Sequence, residues 1–139
     1  MRGPGDEGSA TRPFMYIHLL LCGLGIWLGA TFGLRVAGQH LLRPGELSVT
    51  LTLFAVSFPA SAWLARRLCR LFRLRRAEWA AGAVSLLLPT LFFDPFTSAF
   101  FPKVFPNMAP EVAGTFGGLM LWCCAGALVG VTIRRRSKP

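Results

Sequence analysis

Residues 14–34 contain no charged side chain over 21 consecutive positions, and that constrains the fold more than any motif does. At about 1.5 Å of rise per residue, a helix of this length crosses a hydrocarbon core of roughly 30 Å. A secretory signal would carry an apolar stretch of only about 7–15 residues, followed by a small-residue cleavage site. No such site follows here, so the run is expected to remain as a span. The pattern recurs at residues 47–65, 77–93 and 114–133. The expectation is an all-α membrane protein: a single domain over 14–133 built as a four-transmembrane-helix bundle. Residues 1–13, rich in Gly, Pro and charge, read as a disordered tail, and 134–139 as a basic one. Pro59 falls inside the second run and predicts a kink.

The formal charge is +9. In a soluble domain that would suggest nucleic acid, but here the cations sit between apolar runs, so no nucleic-acid partner is expected. Four crossings put the N-terminal tail, residues 66–76 and the C-terminal tail on one side. Twelve cations then lie there, against Arg35, Arg43 and Lys103 on the other. Because positive residues concentrate on the cytoplasmic side, both termini are expected in the cytoplasm. Six arginines (Arg66, Arg67, Arg70, Arg73, Arg75, Arg76) crowd the inner loop, where they serve topology and hold anionic lipid headgroups. Trp63 and Trp79 flank them at headgroup depth, and Glu78 suits the start of the third helix.

Helices associate in lipid where small residues recur at four-residue spacing. Gly25, Gly29 and Gly33 share one face of the first span. Ser57, Ser61 and Ala65 do so in the second, and Gly114 with Gly118 and Gly126 with Gly130 in the fourth. These are the expected helix-packing positions, with one small-residue face available to a second copy or a complex partner.

The segment 94–113 is the exception to the apolar pattern. Four prolines punctuate it, and Pro102, Pro106 and Pro110, recurring every four residues, oppose a long helix, which predicts an outer Pro/Phe-rich cap or a shallow re-entrant loop whose phenylalanines dip into the interface. Asp94 is expected at the outer edge of the hydrocarbon, where a carboxyl group is costly unless paired; Arg35, at the matching end of the first span, is the candidate partner. Asn107 is expected to satisfy non-helical backbone in the cap. Asp94, Arg35 and Asn107 thus form the candidate polar site, structural first and ligand-binding second. His18 and Cys22 stand four apart, with Cys124 at a similar depth, but these few soft ligands lack a metal motif. The four cysteines read as buried apolar side chains. No converging acid, base and nucleophile set occurs, so neither a cofactor nor catalysis is expected.

Three stretches carry a resemblance: GIWLGATFGLRVAGQHLLRP at 25–44, SFP at 57–59 and FFPKVFPNMAPEVAGTFGGLMLW at 100–122. The chain resembles a bacterial family of small four-helix membrane proteins of unknown function, nearly throughout after residue 13. An aromatic residue often follows the LW pair in that family, where this chain has Cys123 and Cys124. The resemblance implies the fold and a bacterial inner membrane, and no activity. The leading expectation is a structural or accessory protein acting through helix packing, in a homo-oligomer or a larger complex. The alternative is a small transporter or ligand-binding protein with an outer pocket near Asp94. Small multidrug-resistance transporters have this size, but they rely on an acid deep in the first span, and residues 14–34 contain none.

Overall fold

The computed structural model describes residues 11–133; of the tails expected at 1–13 and 134–139, residues 1–10 and 134–139 lie outside the described residues, while 11–13 already belong to the first helix. The elements are α1 Thr11–Leu41, α2 Leu47–Leu71, α3 Trp79–Ala99, a one-turn α4 Phe101–Val104, and α5 Ala113–Thr132. Short 3-10 turns at Arg76–Glu78 and Pro110–Val112 lead into α3 and α5. Among the described residues four segments are long and apolar enough to cross a membrane: Phe14–Leu41, Leu47–Leu71, Arg76–Ala99 and Pro110–Thr132. The protein is an all-α bundle of four such helices.

Three helices run past the ends that apolarity marked. The first continues through Arg35 to Leu41, the second through Arg66 to Leu71, and the third through Asp94 and Pro95 to Ala99. Polar side chains do not end a helix, and backbone beside lipid satisfies its own hydrogen bonds best by staying helical. The cap is therefore shorter than the segment 94–113, and Asp94 lies inside α3. Glu78 sits where expected, its Oε2 accepting the Arg75 backbone N–H at 3.0 Å ahead of α3.

The second helix ends at Leu71, and the chain leaves it through Arg73, whose φ of 53° is left-handed. Leu74 N–H donates to the Cys69 carbonyl at 3.0 Å, and Arg73 N–H to that of Arg70 at 2.9 Å. This closure normally carries glycine at the left-handed position. Arg73→Gly is therefore expected to raise stability by about 1 kcal/mol, read as a higher melting temperature in detergent.

Consecutive helices are not the main partners. The first helix packs chiefly on the third, the second on the fifth, and α3 joins the two pairs through α5. Within each main pair the helices run parallel. Gly23 faces Leu86 and Trp27 reaches Asp94 between α1 and α3, while Phe54 bonds Trp122 and Ala62 meets Gly130 between α2 and α5. The first and second helices, joined by a tight turn at Gly45 (φ 81°), scarcely touch.

Two cores result, one at each end. At the arginine end, Leu19, Ala65, Cys69, Leu74, Trp79, Ala83, Ala127 and Val131 form a buried cluster. Trp79 belongs to it rather than to the headgroup layer, its Nε1 donating to the Leu74 carbonyl at 3.1 Å. At the α4 end, Leu42, Phe101, Phe105, Met108, Val112 and Phe116 form the other. Phe101, Phe105 and Phe116 stand in a triangle with centroids 5.1–5.6 Å apart. The cap phenylalanines Phe101 and Phe105 thus point inward, since four helices must be closed over at this end, while Phe96 and Phe100 stay exposed.

Candidate functional site

Between the two cores the bundle is hollow. A cavity of about 330 Å³ lies among all four long helices, lined by Gly23, Ile26, Trp27 and Ala30 of α1, and by Ser57, Ala60, Ser61 and Leu64 of α2. Leu86, Leu87 and Thr90 of α3 and Met120, Cys123 and Cys124 of α5 complete most of the wall. The void lies where α1 and α2 scarcely touch. Ile26, Ala30, Ala60 and Leu64 are exposed, so the cavity opens sideways between α1 and α2. Its volume falls at the lower end of the range for small-molecule pockets.

The wall is almost wholly apolar. The hydroxyls of Ser57 and Ser61 are spent on their own helix, bonding the Phe54 and Phe58 carbonyls at 3.2 and 2.9 Å. One polar unit stands at its side. Trp27 Nε1 donates to Asp94 Oδ1 at 2.8 Å, and the Trp27 ring stacks on Phe93 at 4.8 Å. The other carboxyl oxygen, Oδ2, is buried without a hydrogen-bond partner. Asp94 itself lines a smaller crevice of about 160 Å³ between α3 and α5. Met120 and Cys124 separate the two spaces by lining both.

The expected pairing of Asp94 with Arg35 is not made. Asp94 bonds Trp27, whereas Arg35 Nη1 donates to the Val104 carbonyl at 3.0 Å. Eight residues separate Trp27 from Arg35 on α1, roughly 12 Å of helix. Because α3 continues past Asp94, the carboxyl sits well below the level that Arg35 reaches. Arg35 instead works with Asn107, whose Nδ2 donates to the Leu34 carbonyl at 3.1 Å and to Gln39 Oε1. Together they clamp the cap onto the end of α1, and Asn107 Oδ1 is left buried without a partner. Sequence reasoning missed Trp27 and Gln39. An indole N–H in the middle of an apolar span was the available signal, because it seeks an acceptor when buried.

The glycines divide. A Cβ at Gly23 would strike the Leu86 carbonyl, and one at Gly38 the Met108 sulfur. Neither position belongs to the expected stripe. At Gly126 a Cβ would lie 2.6 Å from the Phe58 carbonyl oxygen, and at Gly130 it would lie 2.7 Å from Ala62 Cα. Gly118 meets only the Phe54 ring at 3.7 Å, and Gly25, Gly29, Gly33 and Gly114 face open space. Packing inside the bundle therefore uses Gly23 in place of the 25–29–33 stripe, because the stripe points away from α3.

Among the described residues no group of three His, Cys, Asp or Glu side chains could hold a metal. His18 is exposed and bonds the Phe14 carbonyl through Nδ1 at 2.6 Å; all four cysteines are free. Of the six loop arginines, Arg66, Arg67, Arg70 and Arg76 converge on a pocket with Trp63 and Ile133. Arg73 and Arg75 are exposed and lie outside its wall.

None of the curated proteins and none of the solved structures compared with the chain matches it. A family of unknown function, DUF5367, matches residues 41–138. That range holds the SFP and 100–122 stretches, while most of 25–44 precedes it. Because the match spans well over half of the sequence, the chain belongs to this family.

Proposed function

We propose that this small multi-pass membrane protein binds a lipophilic molecule inside the bilayer, in the cavity between its four long helices. The carrying observation is a bundle with packed cores at both ends and about 330 Å³ of apolar space between them. Ile26, Ala30, Ala60 and Leu64 are exposed and apolar at the mouth, which supports a ligand entering from the membrane and not from water. Trp27 lines one side of the space with its indole N–H already committed to Asp94, so the ligand suited to the space is predominantly apolar. This moves the ligand reading from an outer pocket at Asp94 to the middle of the bundle. Binding rather than catalysis is the activity proposed, in a bacterial inner membrane with both termini cytoplasmic. A C-terminal reporter active only in the cytoplasm tests the orientation.

Ala30 and Ala60 line the mouth and are exposed, so larger side chains there enter the cavity without disturbing either core. Ala30→Phe with Ala60→Phe is expected to fold normally and to lose co-purifying lipophiles at least tenfold by native mass spectrometry. Unchanged retention in a folded double variant contradicts the proposal.

A second reading, the accessory role in a homo-oligomer or larger complex, draws support from the open space at Gly25, Gly29 and Gly33. Three small residues on one lipid-facing stripe allow another helix to approach closely. A purified protein that remains a single copy at every concentration in mild detergent, with no partner, contradicts it.

A further inference from the structure

The arginine end carries a second space of different chemistry. A pocket of about 170 Å³ is walled by Trp63, Arg66, Arg67, Arg70, Arg76 and Ile133. Three of its guanidiniums come from the last turns of α2 and the fourth from the turn before α3, so the chain returns a cation to the same spot after reversing direction. No carboxylate is among the described residues of its wall.

Among the described residues, contacts position Arg66, Arg67 and Arg76 without an ion pair. Arg66 Nε donates to the Gly130 carbonyl at the end of α5, which leaves its two terminal nitrogens for another acceptor. Arg67 lies 5.5 Å from the centroid of the Trp63 ring, and Arg76 lies 3.8 Å over that of Trp79. Stacking on a ring orients a guanidinium and keeps its charge. Four cations around one small space, three of them held by these contacts, match an oxyanion that carries several acceptor oxygens.

Position decides what carries that oxyanion. The pocket lies at the end of membrane-length helices, and its two apolar walls, Trp63 at 61% and Ile133 at 55% exposure, face outward. A free phosphate would use the arginines alone. A phospholipid would use both halves, placing its phosphate among the guanidiniums and its chains along Trp63 and Ile133.

We propose that this pocket is a binding site for the phosphate of an anionic phospholipid. The test compares two charge-matched pairs of variants in nanodiscs containing phosphatidylglycerol and phosphatidylcholine. Arg67→Gln with Arg70→Gln removes two pocket guanidiniums that are exposed and outside both cores. Arg73→Gln with Arg75→Gln removes two cations of the same loop that lie outside the pocket. By native mass spectrometry the first pair is expected to lose phosphatidylglycerol retention at least ten times more than the second. Equal losses mean diffuse surface charge and overturn the site. Thermal unfolding in phosphatidylcholine alone checks that both pairs fold, and Arg67→Lys with Arg70→Lys, which keeps the charge but not the fork, is expected to restore retention only in part; full restoration by lysine overturns the fixed-geometry site. Inorganic phosphate or glycerol phosphate at millimolar concentration is expected to leave the lipid in place. Displacement by either overturns the assignment to a lipid.

Discussion

Gly23→Ala is expected to destabilise the bundle by about 3 kcal/mol, the upper end of what overpacking costs. The added methyl would land on the Leu86 carbonyl oxygen, with the Leu86 carbonyl carbon at 2.8 Å and its Cα at 3.2 Å. All three atoms are backbone, so no side chain can swing aside and α1 must lift from α3. That movement also pulls Trp27, one turn further along, from Asp94. Gly29→Ala supplies the contrast. It adds the same methyl to the same helix, but into open space, and alanine favours helix over glycine by about 1 kcal/mol. It is expected to leave stability unchanged or slightly higher. Thermal unfolding of both variants in the same detergent reads the difference, and equal melting temperatures would refute the α1–α3 pairing. If Gly29→Ala also lowers the fraction of dimer, the outward stripe takes part in association.

Trp27→Phe is expected to cost about 2–3 kcal/mol, as removal of the donor from a buried acceptor does. The Phe93 stacking is largely retained by a phenylalanine, so the loss isolates the hydrogen bond to Asp94. With the indole gone, neither carboxyl oxygen has a hydrogen-bond partner, since Oδ2 already lacks one. Adding Asp94→Leu to Trp27→Phe should recover part of the loss, because the orphaned polar group disappears with its partner. The coupling from the full double-mutant cycle is expected to be about 1–3 kcal/mol. By contrast, Arg35→Gln should show no coupling to Asp94, since Arg35 bonds the Val104 carbonyl. Strong coupling between Arg35 and Asp94 would restore the pairing across the outer end.

The number of spans was legible because crossing a membrane depends on length and apolarity, which are local properties of sequence. Which spans pair was not. Residues 14–34 and 47–65 follow each other closely, yet each leans on a helix from the second half of the chain, and no spacing within one helix announces that. Glycine periodicity pointed to Gly25, Gly29 and Gly33, but a glycine facing lipid and one facing a helix look alike in sequence. Gly23 mattered because it alone falls where Leu86 passes. Gly126 and Gly130 show the same spacing with contacts behind it.

The level of Asp94 was hidden for a related reason. Ending the third span at the first charge put Asp94 level with Arg35. A helix that continues through Pro95 to Ala99 lowers it by more than a turn and hands it to Trp27. The candidate trio therefore separates by level: Arg35 and Asn107 hold the cap, and Asp94 belongs beside the cavity. The cavity had no sequence signature, since an apolar wall and an apolar core use the same residues. The arginine pocket was half legible. Six cations were plain, but only the turn between α2 and α3 selects Arg66, Arg67, Arg70 and Arg76 from Arg73 and Arg75.

The hollow middle is tested most directly by photo-crosslinking in the membrane with a diazirine-bearing fatty acid, followed by mapping of the labelled residues. The account predicts adducts concentrated on Trp27, Ala30, Leu64 and Cys123, around one cavity, and their loss in the Ala30→Phe, Ala60→Phe variant. Labels spread evenly over outward-facing residues such as Leu28, Phe32 and Leu51, and unaffected by those substitutions, would contradict it.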